Sequence, residues 1–207
     1  MKGTISPKVG DVIMVRFSKV IIIILLSLFV ASCASIIKYE GRDRGYLAYS
    51  QAATADTNYG AYWIHVRSLG GEEALLGYLQ NNIIAAEKRD FDDENSNGIV
   101  RIESMAPGEY EIFMFAVSRQ GEGLPASMRK KVSIPFSVKS NEVTYIGEYL
   151  AEDVVGQNMF GLTSSLGVTL KVNGRLSRDI EMLSKNIDIK GLRVTNQMPK
   201  VKAVRVD

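Results

Sequence analysis

Residues 131–150, KVSIPFSVKSNEVTYIGEYL, alternate apolar and polar side chains on either side of one short polar break. Val132, Ile134, Phe136 and Val138 occupy every second position, with Ser133, Pro135, Ser137 and Lys139 between them. A period of two sends one set to a buried face and the other to water, as in a half-buried β-strand. Pro135 has no N–H to give to a ladder, so this strand is expected at a sheet edge or a bulge. Ser140-Asn141-Glu142 reads as a turn, and Val143–Leu150 as the returning strand of a hairpin.

The same pattern extends outward. Val100 and Ile102 alternate with Arg101 and Glu103 up to Met105-Ala106-Pro107-Gly108, which predicts a second hairpin turn. Beyond it, Tyr110, Ile112, Met114 and Ala116 share one predicted face and Phe113, Phe115 and Val117 the other, the pattern of a central strand covered on both sides. Residues 61–67, AYWIHVR, have strand propensity throughout. Val168, Leu170 and Val172 alternate until Asn173-Gly174 ends the run, and Val201, Ala203, Val204 and Val206 predict a short final strand or ordered tail. Residues 176–186, LSRDIEMLSKN, are the one predicted helix. Ser177 is its expected N-cap, with Asp179 and Glu181 early and Lys185 late, as the helix dipole prefers. Ile180, Leu183 and Ile187 form its expected apolar stripe. Short strands separated by turn signals, with one C-terminal helix, predict a mainly β chain folded as an antiparallel β-sandwich.

The N-terminal region has a different character. Residues 14–33 read MVRFSKVIIIILLSLFVASC, in which Arg16 and Lys19 precede a twelve-residue run, Val20 to Ala31, apolar except for Ser27. A membrane-spanning helix needs about 20 such residues, so the run suits a signal-peptide core instead. Met14 opens a signal of ordinary length and is the expected translation start, ahead of which residues 1–13 are an unusual polar extension.

Val30-Ala31-Ser32-Cys33 resembles the lipobox of bacterial lipoproteins, with Val where Leu is usual. The resemblance implies a signal peptide over residues 1–32, removed so that Cys33 becomes the N-terminus and carries a diacylglycerol thioether and an N-acyl chain such as palmitate. It further implies a lipidated tether over 33–44 and a single domain over 45–207. Several acyl chains together anchor a protein firmly where one does so only marginally. Such a protein sits in the envelope of a Gram-negative bacterium. Ala34-Ser35, in place of an Asp after the cysteine, implies the outer membrane, facing the periplasm. In the competing reading, Cys33 is an ordinary thiol following an uncleaved anchor helix.

The chain of 207 residues is 46% hydrophobic and carries 25 basic and 23 acidic side chains, a net charge of +2. Residues 1–32 hold four of the basic residues and one of the acidic, which leaves 21 basic and 22 acidic and a net charge of −1 in the remaining 175. That balance is no signature of a nucleic-acid partner. A single cysteine excludes an internal disulfide and any multi-cysteine metal site, and a single histidine makes a Ser–His–Asp triad hard to build.

Ala106-Pro107-Gly108-Glu109-Tyr110-Glu111-Ile112 followed later by Val143-Thr144-Tyr145-Ile146-Gly147 resembles the immunoglobulin-type sandwiches of the transthyretin-like and carboxypeptidase regulatory-like modules. The resemblance implies a fold and brings no active site with it.

The best chemical candidate is the acidic stretch 90–98, DFDDENSNG. Asp93, Asn95 and Asn97 followed by Gly98 match the first half of a calcium loop, and Ile99 would add a backbone carbonyl. The bidentate Glu of the full motif is absent: Ser104 holds its place and Glu103 lies one position early. The competing reading is a plain acidic hairpin closed at Asn97-Gly98. His65, flanked in alternation by Trp63 and Arg67, is expected on a surface or half-buried strand face. Arg129-Lys130-Lys131 reads either as a solvated strand start or as a patch for anionic lipid, and Tyr59, Tyr62 and Trp63 either as core or as a partner or glycan surface. The expected function is a lipid-anchored envelope protein that binds or scaffolds an envelope partner without catalysis. The alternatives are a calcium-stabilised or glycan-binding module and, less favoured, a hydrolase in which His65 meets carboxylates in a pocket.

Overall fold

The computed structural model describes residues 36–57, 59–80, 88–119, 128–157 and 159–207. Cys33, Met14 and the whole 1–32 segment lie outside them. From Ile36 to Asp207 the chain forms one compact unit, and both of its hydrophobic clusters are built from its own residues.

The unit is mainly β and its two sheets pack as a β-sandwich. The strands are β1 (Gly45–Thr54), β2 (Tyr59–Ser68), β3 (Glu73–Gln80), β4 (Phe91–Asp93), β5 (Ser96–Met105), β6 (Gly108–Arg119), β7 (Met128–Val138), β8 (Glu142–Gln157), β9 (Thr163–Asn173), β10 (Arg193–Asn196) and β11 (Ala203–Val206). Helix α1 (Leu176–Asn186) lies between β9 and β10. The small sheet runs β3-β2-β6-β7 and the large one β11-β9-β8-β1-β5-β4, with β10 also paired to β8. Side chains such as Tyr49, Ile64, Phe115 and Tyr149 fill the space between the sheets. The other face of the large sheet carries α1, with Leu183, Val143 and Tyr145 in a second apolar cluster.

Both hairpins predicted from the sequence are corrected. Val132–Val138 lies in β7 of the small sheet and Val143–Leu150 in β8 of the large one, so the turn between them crosses the sandwich. Thr144 Oγ1 donates to the Ser137 carbonyl at 2.8 Å across this corner, and Asn141 takes the left-handed conformation at φ 55°. The Ala106-Pro107 connection likewise leads from β5 in the large sheet to β6 in the small one, with the Tyr110 hydroxyl folded back onto the Ala106 carbonyl at 2.7 Å. Alternation reports which side of a strand is buried but not which strand lies beside it. A short connection can fold back within a sheet or step the roughly 10 Å to the facing one. The actual hairpins are β2–β3, β4–β5, β6–β7 and β8–β9.

The expected sandwich is present but not wholly antiparallel, because β8 pairs parallel to β1 on one side and to β10 at its start. Pro135 lies on β7, an edge strand, and β6 is central between β2 and β7. Its two faces are not the predicted ones, however, because a bulge between Ile112 and Met114 shifts the phase. Tyr110 and Ile112 point into the core before the bulge, and Phe115 and Val117 after it. The helix occupies residues 176–186 as predicted, but its N-cap is Arg175, not Ser177. Ile187 has already left the helix, and Ile189 is buried in the second cluster. Val204 and Val206 of β11 are buried against β9. The segment read as a tether joins the fold early: Ile36 is buried in the core and Ile37 bridges Met105.

Candidate functional site

Gly147 is the residue from which the best-organised polar cluster is built. At φ +101° it sits in a bulge of β8, where Ala48 pairs Tyr145 and Ser50 pairs Glu148. An unbroken alternation would send Tyr145 and Glu148 to opposite faces. The extra residue puts both on the face that α1 covers. Asp179 of α1 is completely buried there and accepts from Ser50 Oγ at 2.6 Å and from the Tyr145 hydroxyl at 2.8 Å. Arg178 spans the two carboxylates, at 2.7 Å from Glu148 Oε2 and 2.8 Å from Asp179 Oδ1. Its guanidinium also lies 3.7 Å above the Phe91 ring. Asn173 donates to Glu148 Oε1 at 3.0 Å, and Arg175 stands 3.7 Å from the same oxygen.

Burial pulls the Arg178 pKa down, but the hydrogen bonds to Glu148 and Asp179 outweigh it and the net shift is upward. Burial, followed by the neighbouring Asp179 charge, raises the Tyr145 hydroxyl. Every group in the cluster is partnered within it, so its chemistry is that of a clasp holding α1 to the sheet. Alternation along the chain does not reveal this cluster; an isolated Gly inside a strand pattern is the signal that the sequence offers for it.

The acidic hairpin meets this clasp. β4 pairs β5 with Asp93 opposite Ser96 and Asp92 opposite Asn97, so the turn falls at Glu94-Asn95, and Asn97-Gly98 lies within β5. Consecutive ladder pairs face opposite ways. Asp93 therefore points to the helix side, 3.4 Å from Arg178, whereas Asn97 points with Ala53 toward the core. The Ile99 side chain is buried in that core. The pairing does not gather Asp93, Asn95, Asn97 and Ile99 around one point. Among the described residues no group of three His, Cys, Asp or Glu side chains is placed to hold a metal ion.

Tyr59 and Tyr62 are core residues, and the Tyr62 hydroxyl donates to the Tyr149 carbonyl at 2.7 Å. Of the aromatics at 59–63, Trp63 alone lies on the outer face of the small sheet, half-buried. His65 shares that face, half-buried, its ring edge-on to Phe113 at 6.1 Å. Burial, and then the Arg129 charge, lower its pKa. Nearby, Glu111 accepts from Arg67 Nε and from Ser133 Oγ, each at 2.6 Å. Arg129, Lys130 and Lys131 are exposed at the start of β7.

The most exposed apolar surface lies elsewhere. β8 runs parallel to β1 as far as the Ala53–Ala151 pair and then continues to Gln157, paired with β9 alone. The six extra residues carry this two-stranded ribbon about 20 Å past the end of β1. Val155, Met159, Phe160, Leu162 and Leu166 on it are all exposed. From Val154 to Leu170 there is no charged residue. The ribbon stands at the pole opposite Ile36, because Ile37 bridges Met105, and Met105 pairs with Gly45 at the start of β1. Among the described residues, no helix is long and apolar enough to cross a membrane.

No protein-family model and no curated protein matches the chain. Among solved structures, it is similar to a leucine-rich repeat protein from Bacteroides thetaiotaomicron VPI-5482, at 10% identity and a TM-score of 0.35. The match covers 79% of this chain and 26% of that one, so the chain spans about a quarter of the length of the protein it matches.

Proposed function

We propose that this chain is a lipid-anchored cell-envelope protein that works by binding an envelope partner, without a catalytic step. The observation that carries the reading is the exposed apolar end of the ribbon, without a charged residue from Val154 to Leu170, at the pole opposite Ile36. Contiguous exposed apolar surface of this kind marks interaction sites. The lipobox-like Val30-Ala31-Ser32-Cys33 supports attachment through Cys33, and Ala34-Ser35 supports the outer membrane. An anchor at Cys33 lies three residues from Ile36, so it would hold that pole at the bilayer and leave the ribbon facing the periplasm.

Growth of a Gram-negative host on an alkyne analogue of palmitate tests the anchor. Label is expected on the full chain and absent from the Cys33→Ala variant. Label retained by that variant, or never acquired by the wild type, refutes it. A photoreactive residue at position 160 tests the binding surface in the same cells, with position 69 as the control. Adducts are expected from position 160 only.

A further inference from the structure

The chain contains two Asn-Gly pairs, Asn97-Gly98 and Asn173-Gly174, and the fold treats them differently. A glycine after asparagine leaves its peptide nitrogen open to react with the asparagine side chain, since no Cβ stands in the way. Asn97 is clamped from both sides, opposite Ala53 of β1 and Asp92 of β4. Gly98 is buried, with the Gln51 carbonyl and the Phe91 ring where a Cβ would stand. Asn173 is the last residue of β9, and its one ladder partner among the described residues is Glu148. Gly174 lies outside the strand and is exposed, and its N–H has no hydrogen-bond partner among the described residues.

We propose that Asn173 is a site of spontaneous deamidation, and that the modification loosens the α1 clasp. The Gly174 nitrogen gives its proton to hydroxide and attacks Asn173 Cγ. The new C–N bond closes a succinimide, and the side-chain nitrogen takes a proton from water and leaves as ammonia. Water then opens the ring at either carbonyl, to aspartate or to isoaspartate. Both products act on the clasp. Asn173 donates to Glu148 Oε1 at 3.0 Å, and the Glu148 side chain is 2% exposed. Aspartate at 173 replaces that donor with a second carboxylate, so a hydrogen bond becomes a repulsion with little solvent to screen it. Isoaspartate adds a main-chain carbon just ahead of the Gly174-Arg175 link, and so displaces the helix that carries Arg178 and Asp179.

Incubation of the Ile36–Asp207 unit at mildly alkaline pH, followed by peptide mapping in a mass spectrometer, tests the proposal. The same unit held unfolded in urea, where both pairs are free to react, sets the incubation time. In the folded unit Asn173 is expected to convert at least about 10-fold faster than Asn97. An extra opening free energy of about 1.4 kcal/mol at Asn97 is enough to produce that ratio. Gly174→Ala sets a methyl group beside the attacking nitrogen and is expected to slow conversion at Asn173. Its Cβ would meet only the Met198 side chain, at 3.1 Å, which can give way, so its starting melting temperature should match the wild type. Asn173→Asp is expected to melt about 5 °C below the wild type, the shift that accompanies loss of a hydrogen bond to a buried charge. Asn173 left intact in the folded unit when the unfolded one has converted overturns the proposal, as does Asn97 converting equally fast. Undiminished conversion in Gly174→Ala refutes the route through that nitrogen. An Asn173→Asp variant as stable as the wild type refutes the effect on the clasp.

Discussion

Replacing Arg178 with Met should loosen the attachment of α1 by an amount the structure lets us estimate. The guanidinium bridges Glu148 and Asp179, whose side chains are 2% and 0% exposed. Removing one partner of a buried ion pair costs about 3–5 kcal/mol, because the remaining charge stays desolvated without compensation. Here the carboxylates keep some partners. Asp179 retains Ser50 and Tyr145, and Glu148 retains Asn173 and the more distant Arg175. The exposed Asp93 contact adds little. These considerations place the loss at about 3 kcal/mol, with a fall in melting temperature of about 10 °C for a domain of this size. Urea unfolding of the Ile36–Asp207 unit, followed by circular dichroism, measures it. The triple variant Arg178→Met, Glu148→Gln, Asp179→Asn buries no charge in the cluster and should regain at least half of the loss. A cost below about 1 kcal/mol for Arg178→Met, the range of an exposed pair, refutes the reasoning. A triple variant no more stable than the single one does so as well.

Gly147→Ala should destabilise by about 1–3 kcal/mol in the same assay, since an L side chain at φ +101° is strained, and its Cβ would meet Met198 at 3.2 Å. A loss within a few tenths of a kcal/mol contradicts the bulge. The hydrogen bonds from Ser133 and then Arg67 hold Glu111 below its ordinary pKa. Its carboxylate therefore stabilises the fold fully above the ordinary Glu value, and the contribution is lost as pH falls from there through the lowered folded value. Glu111→Gln should flatten that part of the stability–pH curve, and an unchanged slope argues against the assignment. Millimolar calcium should leave the melting curve in place, because Asp93 and Asn97 project to opposite faces of their hairpin; a clear rise in melting temperature would contradict this geometry.

How much of this was legible beforehand varies from element to element. The alternations at 132–138, 168–172 and 201–206 mark strands because burial of one face imposes a period of two on the sequence. Helix 176–186 is legible for the same reason at its own period. The N-terminal signal, the lipobox-like cysteine and the charge balance are linear features that need no fold to be read. Asp179 shows the limit. In sequence it is an acidic residue near a helix start, whereas in the folded chain it is a buried anchor for Ser50, Tyr145 and Arg178.

Pairing belongs to the other category. A periodic strand does not specify its neighbour, so the turns at 105–108 and 139–142 look like hairpins and in fact join the two sheets. Bulges at Phe113 and Gly147 each add one residue and invert every face beyond them, which no fixed period can anticipate. The uncharged stretch 154–170 does not announce in sequence which of its apolar residues are core and which are surface: Val168 and Leu170 are buried whereas Val155 and Leu166 are exposed. The exposure of Val155 follows from β1 ending at Thr54 while β8 runs on to Gln157. Whether an apolar side chain is core or contact surface depends on which neighbours the chain brings to it, and those neighbours are fixed only when distant strands meet.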